Sequence, residues 1–498
     1  MKLITVRGWL SMVNPPDLSA MEQRSGALLA CVLACVLLLA GCASPQTFVA
    51  QRAQPGPLPC AVSVPQRDVL VGVAMSGGGS RAALFGEASL EALATMQTRN
   101  GQSVLEQVSY LSSVSGGSIA ASYYALKKPA RGVSMLTPDG TMTEAYRTFF
   151  KEYRNAISQD FGPSVFWRQI SRFRWINPAL SAVSLHEILG EQLLGNATLM
   201  DVARREANGD SPGLLINTTL YNNGRRFVLA GYPSEAFQYN FFADLQASLV
   251  RQGKPSQIHP ALRHRWQMLL PMTPQEIHMN VCRTQLSAAV SSSASFPPVI
   301  GPITFQVEGD PAYWHVGDGG LYENQGVETI LFMFLKQLQM KNARRALILA
   351  FDSSFPFAVG DVRLDHRAQP FSLISFDFSR IPSIMEERAT AYRLLFLRTL
   401  QMQGVFPDEQ TIQVIVLRHT DAVWRPDLRD LPAACRNENP PLQSPAQVRR
   451  RLAEIPTRLR IMSECDHQLL TVSAAKVVAQ NRQDILEFLD GSAPAPLP

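Results

Sequence analysis

The chain has 498 residues, 46% of them hydrophobic and only 17% charged, with 46 Lys and Arg against 41 Asp and Glu for a formal charge of +5. Its hydrophobic content excludes disorder over most of the length, and the near-balanced charge without a basic run excludes a nucleic-acid partner. The length admits up to three domains or one elaborated α/β domain, and a charged fraction below the roughly 25% of soluble proteins points to work near lipid or outside the cytoplasm.

Lys2, Arg7 and Arg24 precede the apolar run Ala27 to Ala40, which is too short to span a bilayer of about 30 Å but has the length of a signal-peptide core. Met21 would open a more compact signal, making residues 1–20 an over-extended start. Leu39-Ala40-Gly41-Cys42 resembles the bacterial lipobox, which implies cleavage before Cys42 and a lipid on that cysteine. The expectation is a lipoprotein of the bacterial cell envelope, anchored through Cys42 and sorted to the outer membrane. Ordinary secretion with cleavage nearby is the alternative. Residues 1–41 are then the signal and 42–66, rich in Pro, Gln and Ala, a tether.

Asp68 to Met75 is a continuous apolar run rich in β-branched residues, as expected of a strand buried on both faces of a parallel sheet. Ser76-Gly77-Gly78-Gly79-Ser80-Arg81 follows, and Ala82 to Met96 has helical spacing. A second such unit has a strand at Val108 to Val114, the sharp Ser115-Gly116-Gly117, and a helix from Ser118 to Lys127. Two strand–turn–helix units imply a βαβ architecture with functional groups at the carboxyl ends of the strands. Leu214 to Tyr221 and Phe227 to Ala230 form a hairpin around Asn222-Asn223-Gly224. Ala346 to Phe351 and Ile412 to Leu417 are further central strands, with amphipathic helices at Met385 to Gln403 and Val472 to Leu489. The tail Gly491 to Pro498 reads as disordered. Cys60, Cys282, Cys435 and Cys465 allow three pairings in an oxidising compartment, Cys435 with Cys465 being the preferred pair, and the absence of a Cys/His cluster disfavours zinc.

Ser115, between a strand and a helix and flanked by Ser113, Gly116 and Gly117, fits a nucleophile elbow with Ser113 in place of its first glycine. Gly77, Gly78 and Gly79 leave backbone N–H groups open at a helix N-terminus, which suits an anion or oxyanion. Gly77-x-Gly79-x-x-Ala82 also fits a dinucleotide fingerprint, but the second strand ends in Ser112-Ser113-Val114 with no acidic residue for a ribose. A P-loop lacks its Gly-Lys-Ser/Thr. Asp318, in Gly317-Asp318-Gly319-Gly320, is presented in a turn and is the candidate base.

These motifs in this order resemble the patatin-like phospholipases over about residues 68–330, together with Ser287 to Pro298, a small-residue segment ending in Phe296-Pro297-Pro298. The resemblance implies a patatin-like three-layer α/β sandwich with a central, mostly parallel sheet and helices on both faces. It also implies a lipid acyl hydrolase of the phospholipase A or lysophospholipase type, with membrane lipid as substrate and no metal or other cofactor. By position, Ser115 is the nucleophile, Asp318 the base, Gly77 to Gly79 the oxyanion hole, and Arg81 a phosphate-binding or loop-steadying residue, while Ser113, Gly117, Gly319 and Gly320 complete the motifs. The catalytic domain is expected over 67–430 and a helical extension over 431–498. Two alternatives remain: a Ser115/Asp352/His419 triad esterase for small esters, and an idle lipid-binding lipoprotein. Finally, nine of the thirty residues from Tyr146 to Trp175 are aromatic, with Arg154, Arg168, Arg172 and Arg174 interleaved, as in a membrane interface, a lid or ordinary packed helices.

Overall fold

The computed structural model describes residues 47–491 except 173, 175–176, 178–179, 255–258, 298–299, 355–379, 403–404, 406–409, 437 and 461. Cys42, the apolar run before it, Pro298 and Trp175 therefore lie outside the described residues. The strands are β1 (Thr47–Ala50), β2 (Val69–Met75), β3 (Tyr110–Val114), β4 (Gly213–Leu220), β5 (Arg225–Leu229), β6 (Ile303–Val307), β7 (Tyr313–Asp318), β8 (Arg345–Asp352) and β9 (Thr411–Arg418). They form one sheet in the order β1-β6-β7-β4-β3-β2-β8-β9, with β5 also paired to β4. From β4 through β9 the pairing is parallel, and β5 and β7 run antiparallel to β4.

Side-chain alternation explains why the central strands are continuously apolar. Val71, Val73 and Met75 of β2 and Leu347, Leu349 and Phe351 of β8 enter one core, while Leu70, Ala74, Ala346, Ile348 and Ala350 enter the other. The first core lies under the helices Gly79–Ala94, Gly116–Lys127, Glu144–Ile157 and Glu464–Gln480, and the second under Val327–Gln339. This is the three-layer α/β arrangement expected from the sequence.

Three features beyond the sequence reading matter for function. The stretch read as a tether contributes to the fold: Thr47–Ala50 pair with β6 at the sheet edge, and Cys60 is bonded to Cys282. The helical extension over 431–498 packs into the main core, where Leu452, Ile455, Leu469 and Val477 join Val71 and Leu347, and Cys435 is bonded to Cys465. The helix expected over Val472 to Leu489 is two, Glu464–Gln480 and Arg482–Asp490, broken at Asn481. Strands β1, β6 and β7 went unread because they are short and carry half-exposed or exposed positions with no uniform apolar run.

The aromatic segment divides as well. Tyr146, Phe149, Phe150 and Tyr153 are buried core residues of one helix, whose Arg154 is bound to Glu87 and Glu91. Phe166 and Trp167, on the next helix, are exposed. Among the described residues no helix is long and apolar enough to cross a membrane.

Because Cys60 and Cys282 are 222 residues apart, their bond constrains a long loop of the unfolded chain, stabilising the fold by about 2–5 kcal/mol. Cys282→Ala, or mild reduction of the wild type, should lower the midpoint of thermal unfolding by several degrees. Coincident melting curves would show that this bond contributes nothing.

Candidate active site

Ser115 follows β3 and caps the Gly116–Lys127 helix with φ 52° and ψ −121°, a left-handed backbone that costs a non-glycine residue energy. Its surroundings over-determine that conformation. A Cβ on Gly116 would overlap the carbonyl oxygen of Gly79, and one on Gly117 the carbonyl oxygen of Met75, so the two glycine turns pack backbone on backbone. The Ser115 N–H donates to Ser293 Oγ at 2.9 Å, and Ser293 Oγ in turn donates to the Asn217 carbonyl at 2.7 Å. The Asn217 side-chain amide donates to Ser112 Oγ at 2.9 Å and to the Ser113 carbonyl at 3.0 Å, and Thr329 donates to its oxygen. Ser113, the departure from the elbow pattern, is fully buried, with its hydroxyl bonded to the Leu215 carbonyl at 3.3 Å and Ser118 Oγ at 3.0 Å. The extra hydroxyl is thus satisfied, as a buried polar group must be.

Asp318 ends β7 and is 2% exposed. One carboxylate oxygen accepts the Gly320 N–H at 2.7 Å, and its backbone is fixed by Thr219 Oγ1 on its carbonyl and by Ser295, whose carbonyl accepts its N–H at 3.1 Å. Burial pushes its carboxyl up to about 7, against the opposing pull of the Gly320 N–H, which donates to it, and of the nearby Ser115 side chain. The structure therefore brings together two groups that are 203 residues apart in sequence. A Cβ on Gly319 would lie 2.5 Å from the Asn217 carbonyl oxygen, so this turn too is built into the network that holds Ser115.

The glycine loop between β2 and the Gly79–Ala94 helix is only partly open. Gly77 N–H donates to the Asn324 carbonyl at 2.9 Å, which removes Gly77 from the set of oxyanion donors expected from the sequence. Ser80 N–H is taken by the Arg458 carbonyl at 2.8 Å. Gly78 and Gly79, with φ 147° and 61°, remain, and only glycine readily adopts such angles in succession. Arg81 is 1% exposed, and its guanidinium donates to the carbonyls of Ser353 at 2.9 Å and Ile455 and to Thr457 Oγ1 at 3.2 Å. Of its two expected roles, phosphate binding is corrected to bracing, because a head so buried and bonded ties the glycine loop to distant segments.

The alternative triad does not assemble. The carboxylate of Asp352 is bound by Arg418, Gln325 and Ser354, which outweigh burial and hold it below its usual range. The His419 imidazole is hydrogen-bonded to the Asp352 carbonyl at 3.3 Å and packs against the Phe85 ring, and burial pushes it down to about 3. Neither group has Ser115 as a described partner.

Sequence reasoning missed Asn324, Ser293 and Asn217. The Asn324 side-chain oxygen lies beside Gly77 and 2.6 Å from where a Cβ of Gly320 would stand, between the glycine loop after β2 and the turn of Asp318. Its position six residues beyond Asp318 was the available signal.

The sequence model of the patatin-like phospholipases matches residues 73–331, more than half the chain. The chain belongs to that family. Among solved structures, human GIVD cytosolic phospholipase A2 is similar at 12% identity and a TM-score of 0.41, over 85% of this chain and 60% of that one. The same human protein in complex with methyl gamma-linolenyl fluorophosphonate gives 14% identity and 0.39, over 85% and 59%. VipD from Legionella pneumophila gives 12% and 0.25, over 90% and 81%. The chain thus spans about 60% of the length of the human phospholipase chains it matches. No curated protein sequence matches it.

Two measurements test this geometry. Gly116→Ala should displace the glycine loop and lower Ser115 reactivity at least tenfold in a protein that still folds; unaltered reactivity would contradict the close packing. Asp318 titrates near 7 when folded but near 3.8 when unfolded, so the folded state holds an extra proton between those values and loses stability as pH rises through them. Asp318→Asn should therefore melt ~2–5 °C higher than wild type at pH 8, with the advantage gone below pH 4.

Proposed function

We propose that this protein is a serine lipid acyl hydrolase acting through a Ser115–Asp318 dyad and an acyl-enzyme. The observation that carries this reading is the Ser115 side chain, on its strained turn, beside a buried carboxyl that burial raises to about 7. In the ionised form, Asp318 takes the proton as Ser115 Oγ attacks the acyl carbonyl carbon. The N–H groups of Gly78 and Gly79 face the developing oxyanion, and the helix they open adds its positive end. The ester C–O bond then breaks, the proton passes from Asp318 to the departing alcohol, and the acyl group stays on Ser115. Water attacks that ester with Asp318 again as base, releasing the carboxylic acid and restoring the serine. Membership of a phospholipase family supports a glycerolipid ester, of the phospholipase A or lysophospholipase type, as substrate. The lipobox-like sequence supports a chain anchored by a lipid on Cys42 in the outer membrane of a bacterial envelope; Cys42→Ser should move the protein from the membrane to the soluble fraction.

A fluorophosphonate probe should label the wild type and not Ser115→Ala. Asp318→Asn should lose 10²- to 10⁴-fold in turnover, whereas His419→Ala, if folded, should keep labelling within a few-fold. Full turnover in the Asp318 variant would overturn the dyad, and an unlabelled, folded wild type would overturn the enzyme. Because the base must be ionised, kcat/KM should rise tenfold per pH unit below about 7 and level off above it.

A further inference from the structure

The helix Phe161–Ser171 buries Phe161 and Val165 but turns Phe166, Trp167 and Ile170 outward, 59%, 64% and 39% exposed. At spacings of one, three and four residues they form one ridge on one face, with the rings of Phe166 and Trp167 edge to face at 5.8 Å. Large apolar side chains grouped on a surface mark a site of contact. Arg168, beneath the ridge, is held by Glu187 and Glu191, which keeps the helix docked on its neighbour.

What lies beside the ridge identifies its partner. Gly162 N–H donates to the Leu459 carbonyl at 2.5 Å, and the stem of Arg460 stands 3.2 Å from where a Gly162 Cβ would be. One residue back, the Arg458 carbonyl takes the Ser80 N–H at the oxyanion loop, so a single strap, residues 455–460, has the ridge helix on one side and the candidate active site on the other. Arg458 and Arg460 of the strap are exposed at the Gly162 end of the ridge helix, and Arg172 is exposed at its other end, where it faces Glu191. An aromatic and aliphatic ridge edged by cations, next to a site that must receive a lipid ester, matches the chemistry of a bilayer surface with anionic head groups. Three partly exposed side chains offer far less than the ~800 Å² per partner of a stable protein interface, which disfavours a second copy of the chain.

We infer that Phe166, Trp167 and Ile170 insert into the bilayer interface and hold the mouth of the Ser115 site against the membrane. The inference rests on the reading of Ser115 as a lipid hydrolase, and its test keeps the two apart. The full-length protein would be bound to vesicles of phosphatidylcholine with 30% phosphatidylglycerol, some carrying brominated acyl chains. Brominated lipid should quench part of the tryptophan fluorescence, and Trp167→Phe should abolish that part. The variant F166S/W167S/I170S should melt like wild type and react equally with a fluorophosphonate, yet hydrolyse vesicle lipid at least tenfold more slowly and a soluble short-chain ester within twofold of wild type. Arg172→Gln with Arg460→Gln should weaken the preference for phosphatidylglycerol over pure phosphatidylcholine vesicles. Unchanged quenching or vesicle hydrolysis in the triple variant overturns the inference, as does an equal loss on the soluble ester, which would place the ridge in substrate binding. A halving of sedimenting mass in the variant would assign the face to a second copy instead. Quenching without any fluorophosphonate labelling would sink the hydrolase reading while leaving the membrane contact standing.

Discussion

Where Gly116 meets Gly79, and Gly117 meets Met75, two chain segments approach until no side chain fits between their backbones. That approach sets the distance between the turn after β2 and the turn after β3, and so between the open N–H groups of Gly78 and Gly79 and the hydroxyl of Ser115. The third turn, at Asp318, joins by the same means, with Gly319 against the Asn217 carbonyl. The strained backbone of Ser115 persists because relaxing it would pull apart contacts that three strands impose together. Serines and Asn217 fill the remaining space and exchange hydrogen bonds, so the region beneath Ser115 is polar yet satisfied, a combination that fixes one arrangement more firmly than apolar packing would.

Asp318 and Asp352 show how one residue type takes two roles. Both end strands of the same sheet and both are buried. Asp352 has Arg418 at 3.0 Å and is held ionised, which makes it structural. The hydrogen bond described for the Asp318 carboxylate comes from a backbone N–H, with no guanidinium beside it among the described residues, and burial therefore raises it into the range where it can both take and return a proton. A histidine relay is unnecessary in the proposed mechanism because desolvation supplies the basicity.

The layers and their central strands were legible because burial on both faces forces long apolar runs, and Asp68 to Met75 and Ala346 to Phe351 carry them. The candidate nucleophile and base were legible because glycine-flanked turns demand glycine in the sequence itself. What escaped was non-local. Ser293 and Asn217 act through partners more than seventy residues away and belong to residue types found in any loop. Gly77 looked as open as Gly78, since nothing in its neighbourhood announces that Asn324 will occupy its N–H. Arg81 looked like a ligand for phosphate for the same reason: its acceptors are backbone carbonyls, which no sequence pattern marks.

The same blindness hid the part played by the C-terminal region. The family match ends at residue 331, yet Ile455, Thr457 and Arg458 are bonded to Arg81 and Ser80 at the glycine loop. With the Gly77 and Ser80 N–H groups taken, those of Gly78 and Gly79 are left without a hydrogen-bond partner among the described residues, and bracing Arg81 keeps that loop from relaxing. Cys435 and Cys465 bracket the segment, so its path is constrained at both ends. The strap therefore belongs to the site rather than to an appendage. The glycine loop beside Ser115 is thus held jointly by the family core and by a segment that core does not include.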